Sequence, residues 1–178
     1  MPPPLRVRYS KIAALVDDLL DRHQITTAPV PLERIATAEG LLISKKPLDD
    51  DVSGFLLRSG SSMVIGVNGN QAPNRRRFTI AHELGHALLH EGDELHVDRG
   101  FRINFRDVNS SLASEIEEIE SNTFAAWLLM PTRFLVKHVG MAHLDIDDGQ
   151  EVAILAKKYG VSAQAMTYRL LNLANRGA

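Results

Sequence analysis

The sequence predicts an α+β fold, with a small, mainly antiparallel sheet packed on several helices and a C-terminal helical pair. Three observations predict it. Short apolar runs bounded by Gly, Ser, Asp and Asn cluster between residues 41 and 68. Segments with apolar residues at helical spacing flank that cluster on both sides. The 178 residues, 44% hydrophobic and 24% charged, suit one domain with a sizeable core. A single domain over residues 1–178 is expected, with residues 147–175 as helix-turn-helix-like helices packed on it.

The opening "MPPPLRVRYS" is proline-rich and carries no apolar signal-peptide run. No stretch approaches membrane-spanning length, so a soluble cytoplasmic protein is expected. A net charge of −2 gives no global attraction to nucleic acid or anionic membrane. The absence of cysteine excludes disulfides, thiolate metal sites and cysteine nucleophiles, and it fits a reducing compartment.

Residues 9–23 place Ile12, Leu15, Val16, Leu19 and Leu20 on one helical stripe. A short helix is expected from near Pro31 to Gly40. "LLISKKPL", "VSGFLLR" and "SMVIGVN" read as three strands. Pro73 and Asn74 begin a long helix running to about His90. "EGDELHVDRGFRINFRDVNS" has no clean period and reads as a loop or lid. Residues 111–130 are strongly helical, with Leu112, Ile116, Ile119, Ala126 and Met130 taken as the core stripe. Pro131 ends that helix or starts another. From about Asp147 the chain reads as two helices broken at "YGVS".

The chemistry concentrates in "RFTIAHELGHALLH", residues 77–90. On a helix, residues four apart share a face, so His82 and His86 can aim two imidazoles at one point. Imidazole suits zinc, and Glu83 stands where a general base would act on metal-activated water. The bland alternative is a helix whose histidines are core or surface residues. Phe78, Ile80, Ala81, Leu84, Ala87 and Leu88 make the helix largely buried, however, and buried polar groups need partners.

A catalytic zinc site needs a third protein ligand. A straight helix does not wrap three successive turns around one ion, so His90 reads as a helix-end or supporting residue. His96, in the loop, stays open as a ligand. The better source is "EIEEIESNTFAAWLLMP". With Ile119 facing the core, Glu118 and Asn122 share one edge of the stripe, with Glu115 a turn earlier. Glu120 lies on the other edge, and Glu117 faces solvent. Glu118 leads as ligand, ahead of Glu120 and Glu115, and Asn122 is placed to brace a ligand histidine.

Together these residues resemble the ImmA/IrrE family of zinc metallopeptidases. The resemblance rests on "RRRFTIAHELGHALLH", "EIESNTFAAWLLMP", "MVIGVN", "APVPLERIATAEGLLI" and the tail "LAKKYGVSAQAMTYRLLNL". It covers residues 10 to 175 and is far more specific than the zinc helix alone. It implies a compact metallopeptidase-like (gluzincin-type) core. It also implies Zn2+, with His82, His86 and Glu118 as ligands and Glu83 as catalytic base. Several family members cleave, or relieve, Xre-type helix-turn-helix repressors in bacteria and phages. Ser121 stands where the family usually has Ala. The radiation-response members carry a further sensor domain that this chain is too short to hold, so a DNA-damage role is not carried over.

The expected activity is endopeptidase cleavage of a protein substrate, an Xre-type repressor, relieving repression. The substrate is expected to pair with an edge strand around residues 64–68. Tyr168, His138, His143 and Arg102 are candidates to stabilise the oxyanion. Two other readings compete. One is a binding module that sequesters a regulator or toxin without cutting it. The other is direct DNA binding by the tail, which offers only Gln164 and Arg169 on its second helix, and Lys157 and Lys158 before it.

Overall fold

The computed structural model describes residues 5–91, 93–98, 111–141 and 148–175. Helices α1 (Tyr9–Arg22) and α2 (Leu32–Ala38) precede strands β1 (Leu41–Lys46), β2 (Gly54–Ser59) and β3 (Ser62–Asn68). Helix α3 (Pro73–Leu89), strand β4 (Leu95–Asp98) and helix α4 (Ser111–Leu129) follow. Helices α5 (Thr132–Met141), α6 (Gly149–Tyr159) and α7 (Ala163–Ala174) complete the order. The fold is α+β, as the sequence predicts. No helix of the described residues is long and apolar enough to cross a membrane.

The four strands run in the order β1-β3-β2-β4. β1 pairs with β3 in parallel, and the β2–β3 and β2–β4 ladders are antiparallel. The β2–β3 hairpin turns through Gly60 at φ +59, a left-handed conformation that favours glycine. This order corrects two expectations. β3 lies inside the sheet, so residues 64–68 are not an edge; their backbone groups already pair with β1 and β2. The stretch read as a loop or lid contains β4, whose four residues are too few to show a period.

Helix α3 lies across the sheet, with Pro73 supplying a preset φ at its start. Its Ile80, Ala81 and Leu84 are buried in one core with Leu56, Ile65 and Val67 of the sheet. Ile12, Val16, Leu19 and Leu20 of α1 join the same core, as their spacing predicts. At the end of β3, the buried Asn68 side chain donates to the carbonyls of Leu48, Asp49 and Val52 and accepts from the Leu48 amide, which ties down the β1–β2 connection. In the tail, Asp148 caps α6 and Ser162 caps α7, and Gly160 turns between them at φ +67. The Asn74 amide donates to the Val161 carbonyl, and Arg169 to the Met130 carbonyl, which dock α7 on α3 and α4.

Helix α4 is rotated from the expected phase. Ile119, placed at the centre of the core stripe, is 46% exposed. Among its described residues the buried positions are Glu120, Ser121, Phe124, Ala125, Leu128 and Leu129. The reason is electrostatic as well as apolar. Arg8 binds the buried Glu120 through its backbone amide at 2.6 Å and its Nη2 at 2.5 Å, which neutralises a carboxylate inside the fold. Glu117, expected in solvent, turns toward His90.

Two glycines set how closely the layers approach. A Cβ on Gly85 would lie 3.0 Å from Phe124 Cδ1 and 3.1 Å from Ser121 Cα, so α4 packs directly on the backbone of α3. A Cβ on Gly54 would lie 2.4 Å from Thr79 Cγ2, which lets α3 settle on β2.

Two outcomes are expected. Gly85→Val forces α4 outward and lowers stability by about 1–3 kcal/mol in chemical denaturation, the usual range for overpacking. Arg8→Ala strands the Glu120 carboxylate and costs about 3 kcal/mol at neutral pH. Burial alone would raise the pKa of Glu120; the hydrogen bonds and charge of Arg8 outweigh it and hold that pKa below its ordinary value. A depressed folded pKa gives stability that is present above the ordinary value, near 4.3, and is lost as pH falls through the folded value. Denaturation curves of wild type and Arg8→Ala therefore converge only as pH falls through the depressed folded value of Glu120.

Candidate metal centre

His82 and His86 sit one turn apart on α3, both buried, with their Nε2 atoms 3.1 Å apart. Glu118 reaches them from α4, with Oε2 3.5 Å from His82 Nε2 and Oε1 3.2 Å from His86 Nε2. The absent side chain of Gly85, between the two histidines, lets α4 come this near. Asn122, one turn after Glu118, places Oδ1 3.1 Å from His82 Nδ1. An amide oxygen only accepts, so His82 Nδ1 carries the proton and Nε2 presents its lone pair to the centre. Phe78 stacks on the other side of the His82 ring at 6.1 Å between centroids.

The other acidic positions of α4 point elsewhere. Glu120 is taken up by Arg8, and Glu115 is exposed. His90, just after α3, faces Glu117 and Glu120 rather than the imidazole pair. His96, left open in the sequence, belongs to β4, and its Nε2 lies 3.4 Å from Glu118 Oε1. His82, His86, His96 and Glu118 each offer one atom to a cluster in which all four lie within 4.8 Å of one another. Glu83 and Asp98 form a second such group with His82.

Asp98 and Arg58 are the residues that sequence reasoning missed. Asp98 pairs with Gly54 across the β2–β4 ladder, which brings it beside Glu83. Arg58 of β2 donates to the His86 carbonyl at 3.0 Å and the Asp93 carbonyl at 2.9 Å, and so closes the end of α3.

Burial, and then the neighbouring His86, pushes His82 down to about 3. Burial, followed by His96 and His90, holds His86 well below its ordinary value. Both rings are thus neutral, the form that binds metal. Burial, and then the charges of Asp98 and Glu118, raises Glu83 well above the ordinary carboxylate value. Both Glu83 carboxylate oxygens and His96 Nε2 are buried without a hydrogen-bond partner among the described residues. Neutral imidazole nitrogens and carboxylate oxygens converging on one point, with buried lone pairs unsatisfied, fit a divalent cation.

Of the oxyanion candidates, His143 and Arg102 lie outside the described residues. His138 faces away in the helical layer, with its ring between the Tyr159 hydroxyl and the Lys158 ammonium. Tyr168 is exposed on the wall of a groove of about 1060 Å³. Phe78 and Asn122 line the same groove, so it adjoins the imidazole pair. Arg169, weighed as a DNA contact, is buried and bound to Met130 and Thr132.

Residues 36–171 match the family model described as IrrE N-terminal-like domain, a peptidase family. The chain is 36% identical over 107 residues to the radiation response metalloprotease IrrE of Deinococcus radiodurans, covering 60% of this chain and 30% of that protein. It is 34% identical over 110 residues to the Deinococcus deserti protein of the same name, covering 60% of this chain and 35% of that one. The chain therefore spans about a third of the length of these two relatives. It is also 28% identical over 142 residues to the uncharacterized immunity region protein 2 of Bacillus phage phi105, covering 79% and 80% of the two chains. A Mycobacterium tuberculosis transcriptional regulator shares the fold, with a TM-score of 0.61 at 16% identity over 90% of this chain and 46% of that one. On this match across most of its length, the chain belongs to the ImmA/IrrE family of metallopeptidases.

Proposed function

We propose that the protein is a zinc-dependent endopeptidase of the cytoplasm that cleaves a protein substrate, an Xre-type helix-turn-helix repressor, and so relieves repression. The observation that carries this reading is the convergence of His82, His86 and Glu118 beside the buried, unpartnered carboxylate of Glu83. A nitrogen-rich donor set of this kind suits zinc over harder cations. The relation to the phage immunity region protein supports a regulator as substrate.

His82, His86 and Glu118 hold the metal, and Asn122 fixes the orientation of His82. When bound, the metal supplies Lewis acidity, polarising the scissile carbonyl and acidifying water. Glu83 takes a proton from the attacking water and passes it to the leaving amine. The substrate strand lies along β4, which occupies the end of the sheet order on the side that carries His96. There it finds backbone donors and acceptors, as an added strand does. The groove beside His82 receives apolar side chains of the substrate, since Phe78, Ile119 and Trp127 line it.

Elemental analysis of the purified protein is expected to find one zinc per chain, lost in both His86→Ala and Glu118→Ala. Chelation lowers the thermal midpoint of the wild type, because metal binding stabilises only the folded chain. Glu83→Gln keeps the zinc but lowers cleavage of a repressor substrate by about 10³-fold, the scale of general-base catalysis. A Glu83→Gln protein that binds zinc and cuts at the wild-type rate would sink the catalytic reading. A wild type that binds the repressor without cutting it would make the protein a sequestering module.

A further inference from the structure

The metal reading leaves one donor unused. His96 stands on β4, opposite Leu56 in the ladder, and its face of the strand also carries Asp98. The intervening residues Leu95 and Val97 point outward and are exposed. Strand alternation therefore turns the His96 ring inward, toward the α3–α4 contact. Its centroid lies 4.0 Å from that of His86 and 6.5 Å from that of His82. Its Nε2 is buried and has no hydrogen-bond partner among the described residues.

The spacing of the donors is the decisive quantity. Donors about 2.0–2.2 Å from a tetrahedral zinc lie roughly 3.3–3.6 Å from one another. The separations here are 3.1 Å for His82 to His86, 3.5 Å for His82 to Glu118, 3.2 Å for His86 to Glu118 and 3.4 Å for His96 to Glu118. These separations, taken over both Glu118 oxygens, fall near that range, and the four residues each offer an atom within 4.8 Å of the others, close enough to converge on one ion. A catalytic zinc site has three protein donors and an open corner, whereas four protein donors make a closed site.

We propose that His96 is a fourth protein donor to the metal, so that the resting site is coordinatively closed. This rests on the metal reading of His82, His86 and Glu118. Cleavage then requires His96 to leave its corner. β4 is suited to such a departure, being four residues long and at the end of the strand order. A substrate strand adding to β4 would act on the element that carries the blocking ligand.

The test uses the whole chain loaded with cobalt(II), whose visible bands report coordination, with azide as a probe of any open corner. Zinc affinity is measured in parallel by chelator competition. Wild-type bands are expected to be intense and unmoved by azide. His96→Ala and His96→Gln are expected to weaken the bands, make them respond to azide and lower zinc affinity at least tenfold. Far-UV circular dichroism of the metal-free variants checks that the fold is kept. The proposal is overturned by a wild type whose bands shift with azide, or by folded His96 variants that hold zinc as tightly as the wild type. His86→Ala separates the two levels. Metal lost in His86→Ala but unaffected in the His96 variants removes only the fourth donor. A wild type that takes up neither zinc nor cobalt removes the metal reading and this proposal with it.

Discussion

The approach of α4 to α3 across Gly85 is the constraint on which the site depends. Backbone meets backbone there, because a side chain at residue 85 would run into Phe124 and Ser121. That contact sets the distance over which Glu118 must reach, and a carboxylate has only a short stem. It also brings Asn122 onto the His82 ring, one helical turn away. A glycine in a helix interior costs stability relative to alanine, on the order of 1 kcal/mol. Here the cost is offset by packing that no larger residue would permit.

The acidic crowd on α4 is sorted by what each carboxylate meets. Glu115 faces water, Glu117 faces His90, Glu118 faces the imidazole pair and Glu120 faces Arg8. Glu118 and Glu120 sit two residues apart and serve separate clusters on different sides of the helix. Arg8 performs the sorting, since a buried carboxylate requires a partner of opposite charge. With Glu120 neutralised, α4 can bury that edge and turn Ile119 outward. The exposed Ile119 then becomes a wall of the groove beside His82.

The sheet serves the site through β2 and β4 rather than through its middle. β2 sends Arg58 to the end of α3, and β4 lays His96 and Asp98 along its face. The described ligand cluster is thus drawn from a helix pair and the last strand of the sheet order. A peptide added to that strand would lie next to this cluster. The four residues of β4 thus place His96 in the cluster with His82, His86 and Glu118, and Asp98 in the group with His82 and Glu83.

The sequence by itself determined the elements whose signals are local. Helical spacing on α1, the proline start of α3, the glycine turn before α7 and the three apolar strands all follow from residues within one or two turns of each other. The histidine pair and Glu83 were legible for the same reason, since a four-residue spacing fixes a shared face. Glu118 was legible only as the best of several acids. What the tertiary structure decided was every matter settled by distant partners. The phase of α4 depends on Arg8, over a hundred residues away, and the apolar pattern alone misplaced Ile119. The interior place of β3 depends on β1 crossing to pair with it in parallel. His96 came beside His86 and Glu118 only when β4 joined β2, because four residues are too few to announce a strand. Local periodicity records which face a residue occupies, while long-range pairing decides what that face meets.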